Sequence, residues 1–93
     1  MVFGFEFSFK LWQTIQTMDE KQPDKFWTVS EITEHYIEFV SIDRAMLAEM
    51  GYKDTLRRRV RGRLKYFNTI QEVEQITDKN NKNQIILKFR KAC

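Results

Sequence analysis

Residues 55–68, TLRRRVRGRLKYFN, combine a regular apolar spacing with a dense run of positive charge. The apolar residues recur every three or four positions, which on a helix forms one stripe: Leu56, Val60, Leu64 and Phe67. Six of the nine residues from Arg57 to Lys65 are cationic. Asp54 is a suitable N-cap, because its carboxylate would lie at the positive end of the helix dipole. We therefore predict a helix over residues 54–69, the basic helix, that docks by its apolar stripe.

The side of the basic helix opposite the apolar stripe carries the residues best placed to meet a polyanion. This outward face comprises Thr55, Arg58, Arg61, Gly62 and Lys65, and Arg57 and Arg59 lie on its flanks. An arginine can hold a phosphate, or the O6 and N7 atoms of guanine, with two parallel hydrogen bonds. The predicted nucleic-acid contacts on this helix are Thr55, Arg57, Arg58, Arg61 and Lys65.

Gly62 is unusual on such a face, because glycine inside a helix costs about 0.5–1 kcal/mol relative to alanine. Close approach of a DNA backbone or of a partner helix would account for it. A glycine that is tolerated without a role is the alternative.

Three interpretations of the basic face are open. The face could serve as a solvated surface that keeps the domain soluble, as a binding surface for an acidic protein partner, or as a binding surface for nucleic acid. No acid occurs from residue 55 to residue 71, so the cations repel one another at helical spacings unless a counter-surface is present. We therefore predict double-stranded DNA as the partner and keep an acidic protein surface as the alternative.

The charge of the chain is divided between its two halves. Residues 1–50 hold four Lys and Arg against nine Asp and Glu, or 4 − 9 = −5. Residues 51–93 hold twelve against four, or 12 − 4 = +8, and the sum is the net charge of +3. This asymmetry indicates a bipolar molecule with one face turned to an anionic partner.

Length and cysteine content limit the class of protein. Residues 1–93 are short enough to form a single domain. The only cysteine is Cys93, so no intrachain disulfide is expected. The apolar N-terminal stretch contains Glu6 and alternates, which is not typical of a signal peptide, and no run is long enough to span a membrane. We expect a cytoplasmic protein, or a nuclear one if it is eukaryotic, without a membrane partner.

The N-terminal phenylalanines alternate with Gly4, Glu6 and Ser8, a period of two that predicts a strand or arm over residues 1–8. The phenylalanines are Phe3, Phe5, Phe7 and Phe9. Such a strand would either form a homodimer by edge pairing or complete the sheet of its own domain.

Ser8 is the predicted N-cap of a first helix that carries Leu11, Trp12, Ile15 and Met18 and ends before Pro23.

A short strand at Phe26–Val29 and a second helix are predicted next. Thr28 and Glu31 fit a capping box for this helix, and Ser30 is an alternative N-cap. The apolar residues of the helix are Ile32, Tyr36, Ile37 and Phe39 or Val40. A short extra helix, at about residues 42–50, would follow Ser41 as its N-cap and use Met46, Leu47 and Met50 as its apolar face before Gly51.

The C-terminal part predicts a β-hairpin over residues 70–91. Two segments rich in β-branched residues flank the turn-forming stretch DKNNKN. Ile85, Leu87 and Phe89 would share one face of the second strand. Near the turn, Lys79 and Lys82 are predicted to contact a DNA backbone, although a solvated turn explains them equally well.

This order of elements, with FWTVSEITEHY, then LRRRVRGRLKYFNTI, then a hairpin, resembles the winged helix-turn-helix superfamily over residues 8–91. The resemblance implies an α+β fold: a small winged-helix domain with three main helices, the short extra helix and a C-terminal hairpin as the wing. It makes residues 54–69 the recognition helix and Lys79–Asn83 the wing tip. The helix within residues 41–53 departs from the tight turn that is common in the family.

The function that the resemblance implies is DNA binding, as a small transcription regulator or as a replication or mobile-element accessory factor. The alternative is a winged-helix protein-interaction module or inhibitor.

Catalysis and cofactor binding are not expected. The chain contains one histidine, His35, and one cysteine, so it cannot assemble a zinc ligand set. Catalytic triads, phosphate-binding loops and dinucleotide turns have no counterpart in the sequence. We predict a protein that is not an enzyme and that has no metal or cofactor, with His35 at the surface of its helix.

Overall fold

Four helices and three strands follow one another in residues 5–92, the part of the chain that this computed structural model describes. The helices are α1 (Phe5–Lys21), α2 (Val29–Val40), α3 (Arg44–Leu47) and α4 (Tyr52–Thr69). The strands are β1 (Trp27–Thr28), β2 (Val73–Lys79) and β3 (Ile85–Lys91), and they form an antiparallel sheet in the order β1-β3-β2. The fold is therefore α+β, as predicted.

Helix α1 replaces the predicted N-terminal strand over the residues that the structure describes. The helix begins at Phe5 and includes Ser8, so the strand prediction is wrong for residues 5–8 and Ser8 is not an N-cap. Residues 1–4, which include Phe3, lie outside the described part of the chain. The predicted homodimer contact by edge pairing therefore has no strand to use at residues 5–8.

The apolar pattern of α1 explains why it is helical. Leu11, Ile15 and Met18 are buried at helical spacing, and Phe7 continues this stripe toward the N-terminus. The Phe7 ring packs edge-on against Tyr36 of α2, with 5.3 Å between the ring centroids. Burial of a continuous helical stripe outweighs a short alternating pattern, since a helix also satisfies its own backbone hydrogen bonds.

The capping box of α2 forms as predicted. The Thr28 hydroxyl accepts a hydrogen bond from the Glu31 amide at 3.1 Å, and the Glu31 carboxylate accepts one from the Thr28 amide at 2.9 Å. Ser30, the alternative N-cap, instead lies in the first turn of α2. Ser41 ends this helix in a left-handed conformation with φ of 55°, so its predicted role as an N-cap for the next helix is wrong.

Helix α3 is shorter than predicted and packs weakly. Asp43 caps it by accepting a hydrogen bond from the Ala45 amide at 2.9 Å. Of the predicted apolar face only Leu47 is half-buried, whereas Met46 is exposed and Met50 is fully exposed. Four residues cannot bury three large side chains against one neighbour, because a single helical turn points them in different directions.

Helix α4 contains the basic helix and begins at Tyr52, two residues before the predicted start. Gly51 precedes it with φ of 81°, a left-handed conformation that favours glycine. Asp54 therefore lies within the first turn and is not the N-cap. The predicted apolar stripe is confirmed, since all four of its residues are buried: Leu56, Val60, Leu64 and Phe67.

The predicted hairpin is formed by β2 and β3. Their register pairs Val73 with Lys91 and Lys79 with Ile85, so the two strands match along their full length. Strand β1 pairs with the other edge of β3 at Trp27–Phe89 and Thr28–Lys88. Phe89 is completely buried, which anchors the base of the hairpin in the core.

The core lies between the sheet and α1, α2 and α4. Its buried apolar residues are Leu11, Ile15, Met18, Trp27, Ile32, Tyr36, Ile37, Leu56, Val60, Leu64, Phe67, Val73 and Phe89. The outer part of the hairpin is not covered by this core, because β2 is buried only at Val73. Within residues 5–92, no helix has both the length and the apolar character that crossing a bilayer requires.

Candidate nucleic-acid interface

Three cations of α4 project into solvent on the side opposite the buried stripe. Arg58, Arg61 and Lys65 are exposed. Within residues 5–92, none of them forms an ion pair with a carboxylate. Because they follow one another at intervals of three and four residues, they are neighbours on the helix surface. The outward face of α4 is therefore a site of concentrated positive charge.

The other predicted contacts on α4 are less accessible. The Arg57 guanidinium forms an ion pair with the Asp54 carboxylate one turn earlier, and it is only partly exposed. Thr55 is half-buried and lines a separate surface depression that also includes Glu49 and Asp54. Arg57 would have to exchange its intrahelical partner before it could bind an external anion.

Arg63, which lies close to the apolar stripe, does not join the exposed cations. It is half-buried, and its guanidinium lies 5.3 Å from the centre of the Tyr66 ring. Such a contact between a cation and an aromatic face holds the guanidinium against the helix. Arg63 therefore packs on Tyr66 and is not one of the fully exposed cations.

A groove separates α4 from the hairpin, and we call it the arginine groove. It encloses about 480 Å³ and is lined by Thr28, Val29, Ser30, Arg57, Arg58, Arg61, Ile85, Ile86 and Leu87. Three chain segments meet here: the start of α2, the outer side of α4 and the first residues of β3. No aspartate or glutamate belongs to this lining. The groove thus has one cationic wall and one aliphatic wall.

Of the residues that line this groove, only the arginines are among the predicted nucleic-acid contacts. Ile85 and Leu87 are predicted to share one face of β3 with Phe89. Burial decreases along this face, from the fully buried Phe89 through the half-buried Leu87 to Ile85, which is 71% exposed. Alternation predicts which side of a strand a residue occupies, but the position where the core ends depends on the helices above it.

The hairpin turn holds the predicted wing lysines in solvent. Lys79 and Lys82 are both exposed. The Asn80 side-chain oxygen accepts hydrogen bonds from the backbone amides of Lys82 at 2.9 Å and Gln84 at 3.0 Å. Asn83 adopts a left-handed conformation with φ of 63°, which asparagine tolerates. These bonds order the turn, and they present Lys82 at its tip.

Lys79 lies beside the arginine groove. It pairs directly across the hairpin with Ile85, and such cross-strand partners project from the same face of a sheet. Ile85 lines the groove, so Lys79 lies at the outer end of the same face. Lys82 is farther along the turn and is not part of the groove lining.

Several other cations have carboxylate partners within the fold. Lys53 pairs with Glu34 at 3.1 Å, and Lys88 pairs with Asp78 at 2.9 Å. The hydrogen bond from Lys88, with another from the Lys79 amide, lowers the pKa of the Asp78 carboxyl below its usual range. Local pairing reduces the positive potential around these residues, in contrast to the cations without carboxylate partners on the outward face of α4.

Arg90 is held even more extensively. It forms ion pairs with Glu74 at 2.7 Å and with Asp24 at 3.3 Å, and it lies over the Phe26 ring at 4.5 Å. It therefore connects the base of the hairpin to the loop that follows α1. This cation stabilises the fold and is not directed toward an external ligand.

His35 differs in part from its predicted surface position. It is half-buried, and its ring packs edge-on against Trp27 with 5.3 Å between centroids. Its Nδ1 atom lies 2.9 Å from the Glu31 carbonyl oxygen, which can only accept, so Nδ1 carries a proton. Among residues 5–92 there is no group of three or more side chains suited to hold a metal ion.

Comparisons with protein-family models, curated proteins and solved structures find no match for this chain.

Proposed function

We propose that this protein binds double-stranded DNA, with α4 as a recognition helix in the major groove and the β2–β3 hairpin as a wing. The order of elements, in which a short strand precedes α2 and a hairpin follows α4, supports a winged-helix arrangement. The three-stranded sheet with β3 at its centre gives the hairpin a fixed base beside α4.

One observation carries this proposal. Arg58, Arg61 and Lys65 are exposed on a helix whose opposite stripe is buried, and they have no carboxylate partner within residues 5–92. Like charges at these spacings destabilise a helix by about 0.2–0.5 kcal/mol per pair. A polyanion would convert this repulsion into attraction and release its own counterions.

The residues have different roles in this proposal. Arg58, Arg61 and Lys65 contact base edges and phosphates in the major groove. Thr55 and Arg57 lie near the edge of that groove, where Arg57 exchanges Asp54 for a phosphate. Lys79 and Lys82 on the hairpin contact the neighbouring backbone.

The cellular role that follows is that of a small transcription regulator, or of a replication or mobile-element accessory factor. A single module of this kind buries about 600–1,000 Å² against DNA. Useful sequence specificity therefore requires a dimer or a larger assembly on the DNA. The contact within such an assembly cannot be a strand at residues 5–8, because these residues are helical.

A binding titration against salt tests the proposal. Fluorescence anisotropy with a random-sequence duplex should give a plot of log K against log salt with a slope of about −4 to −5, if about five phosphates are neutralised. The affinity should then fall by about 10²- to 10³-fold between 50 and 200 mM salt. A single strand of the same sequence should bind more weakly. Absence of duplex binding at 50 mM salt would refute the proposal.

A further inference from the structure

The arginine groove has features that binding of a phosphate backbone does not require. Three aliphatic residues of β3 line the groove with Arg58 and Arg61: Ile85 and Leu87 lie on one face of the strand, and Ile86 lies on the other. Ile85 keeps 71% of its surface exposed, so the groove presents apolar surface beside its cations. Phosphates interact with the cationic wall alone, so the aliphatic wall points to an additional kind of ligand.

The edge of β3 is open at the same place. Strand β1 pairs with β3 only as far as Thr28–Lys88, and the chain then turns into α2. Strand β2 occupies the opposite edge along all of β3. The edge of β3 at Ile85–Leu87 is therefore not paired with β1, and it borders the groove. Peptide groups on an open edge are a template for a further strand.

The charges of the groove define the chemistry of such a strand. Side chains of an extended peptide alternate between two sides. Side chains on the face that carries Ile85 and Leu87 would point into the groove and would meet Arg58 and Arg61. The other side would continue the surface of Ile86. A peptide with carboxylates at every second position and apolar residues between them would direct its carboxylates to Arg58 and Arg61 and place its apolar residues beside Ile86.

We propose that the arginine groove binds an acidic extended peptide, which adds a strand to β3 at Ile85–Leu87 and directs its alternate carboxylates to Arg58 and Arg61. Three paired residues span about 10 Å. The groove volume of about 480 Å³ lies within the range of about 300–1,000 Å³ that ligand sites occupy. The occupant is thus a short segment of a partner protein.

Peptide binding and DNA binding would exclude each other, because both use Arg58 and Arg61. An acidic partner segment would therefore release the protein from DNA. Binding of the peptide does not depend on the DNA-binding proposal, so the two are tested separately.

Anisotropy with the full chain and a fluorescein-labelled hexapeptide, Glu-Val-Glu-Val-Glu-Val, is the first test. The control peptide, Glu-Glu-Glu-Val-Val-Val, has the same composition and charge but does not alternate. We expect the alternating peptide to bind about tenfold more tightly, since only it can direct all its carboxylates to α4 and its valines to Ile86 while pairing with the edge. Equal affinities, or no binding of either peptide, would overturn the proposal.

N-methylation of the peptide tests pairing with the edge directly. One derivative is methylated on its three glutamate amides and the other on its three valine amides. An added strand has one edge against β3, so amides of one set donate to β3 and those of the other set point away. One derivative should lose about tenfold in affinity and the other should lose little. Equal binding of both derivatives and the parent peptide would exclude strand addition.

Charge reversal in the protein tests the cationic wall. Arg58→Glu with Arg61→Glu should abolish binding of the alternating peptide. Lys21→Glu with Arg44→Glu changes the net charge equally at exposed positions outside the groove and should keep most of the affinity. Circular dichroism must give the same folded spectrum for both variants. If the control pair loses as much affinity as the groove pair, the peptide is attracted by the overall charge of the protein and the proposed site is wrong.

A wild-type protein that binds the peptide but not duplex DNA would refute only the DNA-binding proposal.

Discussion

At the scale of single residues, Gly62 costs stability without an evident benefit inside the described chain. A Cβ atom placed on it would meet nothing within 4 Å, and the residue lies within α4. Gly62→Ala should therefore raise the free energy of unfolding by about 0.5–1 kcal/mol in urea titrations. If the outward face of α4 approaches DNA closely, the same substitution should weaken duplex binding. Unchanged DNA affinity with increased stability would mean that Gly62 is tolerated without a role.

Tyr36 gives the protein a predictable response to alkaline pH. Burial, with smaller effects of Tyr52 and Glu6, raises the pKa of Tyr36 above its ordinary value of 10.0. Above pH 10.0 the unfolded chain loses this proton while the native protein keeps it, so the free energy of unfolding falls as pH rises. Tyr36→Phe should make this fall shallower in urea titrations between about pH 9 and 11. Parallel pH profiles of the variant and the wild type would contradict the prediction.

At the scale of elements, the start of α2 depends on one of two hydroxyl residues that lie two positions apart. Thr28 makes the capping hydrogen bond to Glu31, and Ser30 lies inside the first turn. Thr28→Ala should lower the free energy of unfolding by about 1 kcal/mol. Ser30→Ala is the matched control and should change it by less than about 0.5 kcal/mol. Thermal or urea unfolding would distinguish the two, and a larger effect of Ser30→Ala would contradict the assignment.

At the scale of the whole molecule, the distribution of charge matters more than the net charge of +3. Arg58→Glu with Arg61→Glu should reduce duplex affinity strongly and make the salt slope shallower by about 2, because two phosphate contacts are lost. Lys21→Glu with Arg44→Glu changes the net charge by the same amount away from α4. The salt slope of this control variant should stay close to that of the wild type. Equal losses in both variants would show that binding follows net charge and not the outward face of α4.

Much of this organisation follows from local patterns. The stripe of Leu56, Val60 and Leu64, the Thr28–Glu31 capping box and the hairpin each depend on residues close together in sequence, and each is found as predicted. The exposed positions of Arg58, Arg61 and Lys65 also follow from the period of one helix. These features could be predicted because they depend on the spacing of residue types along the sequence.

Other features could not be read from local patterns. The alternating phenylalanines near the N-terminus favour a strand when taken alone, yet Phe7 packs on Tyr36 from within a helix. Asp54 has the residue type of an N-cap, but α4 begins earlier, at Tyr52. In both cases tertiary packing chose among locally acceptable alternatives, since burial contributes more free energy than a local preference.

The sequence by itself determined which helix is amphipathic, where its cations lie and that a hairpin follows it, because periodicity is a property of neighbouring residues. Only the tertiary structure decided which cations are neutralised by carboxylates far away in the sequence. Arg90 reaches Asp24, 66 positions away, while Arg58 and Arg61 meet no carboxylate in residues 5–92. Tertiary structure also created the arginine groove from three distant segments and left the edge of β3 open beside it. Contacts between distant residues depend on how the elements pack, and no spacing along the chain encodes them.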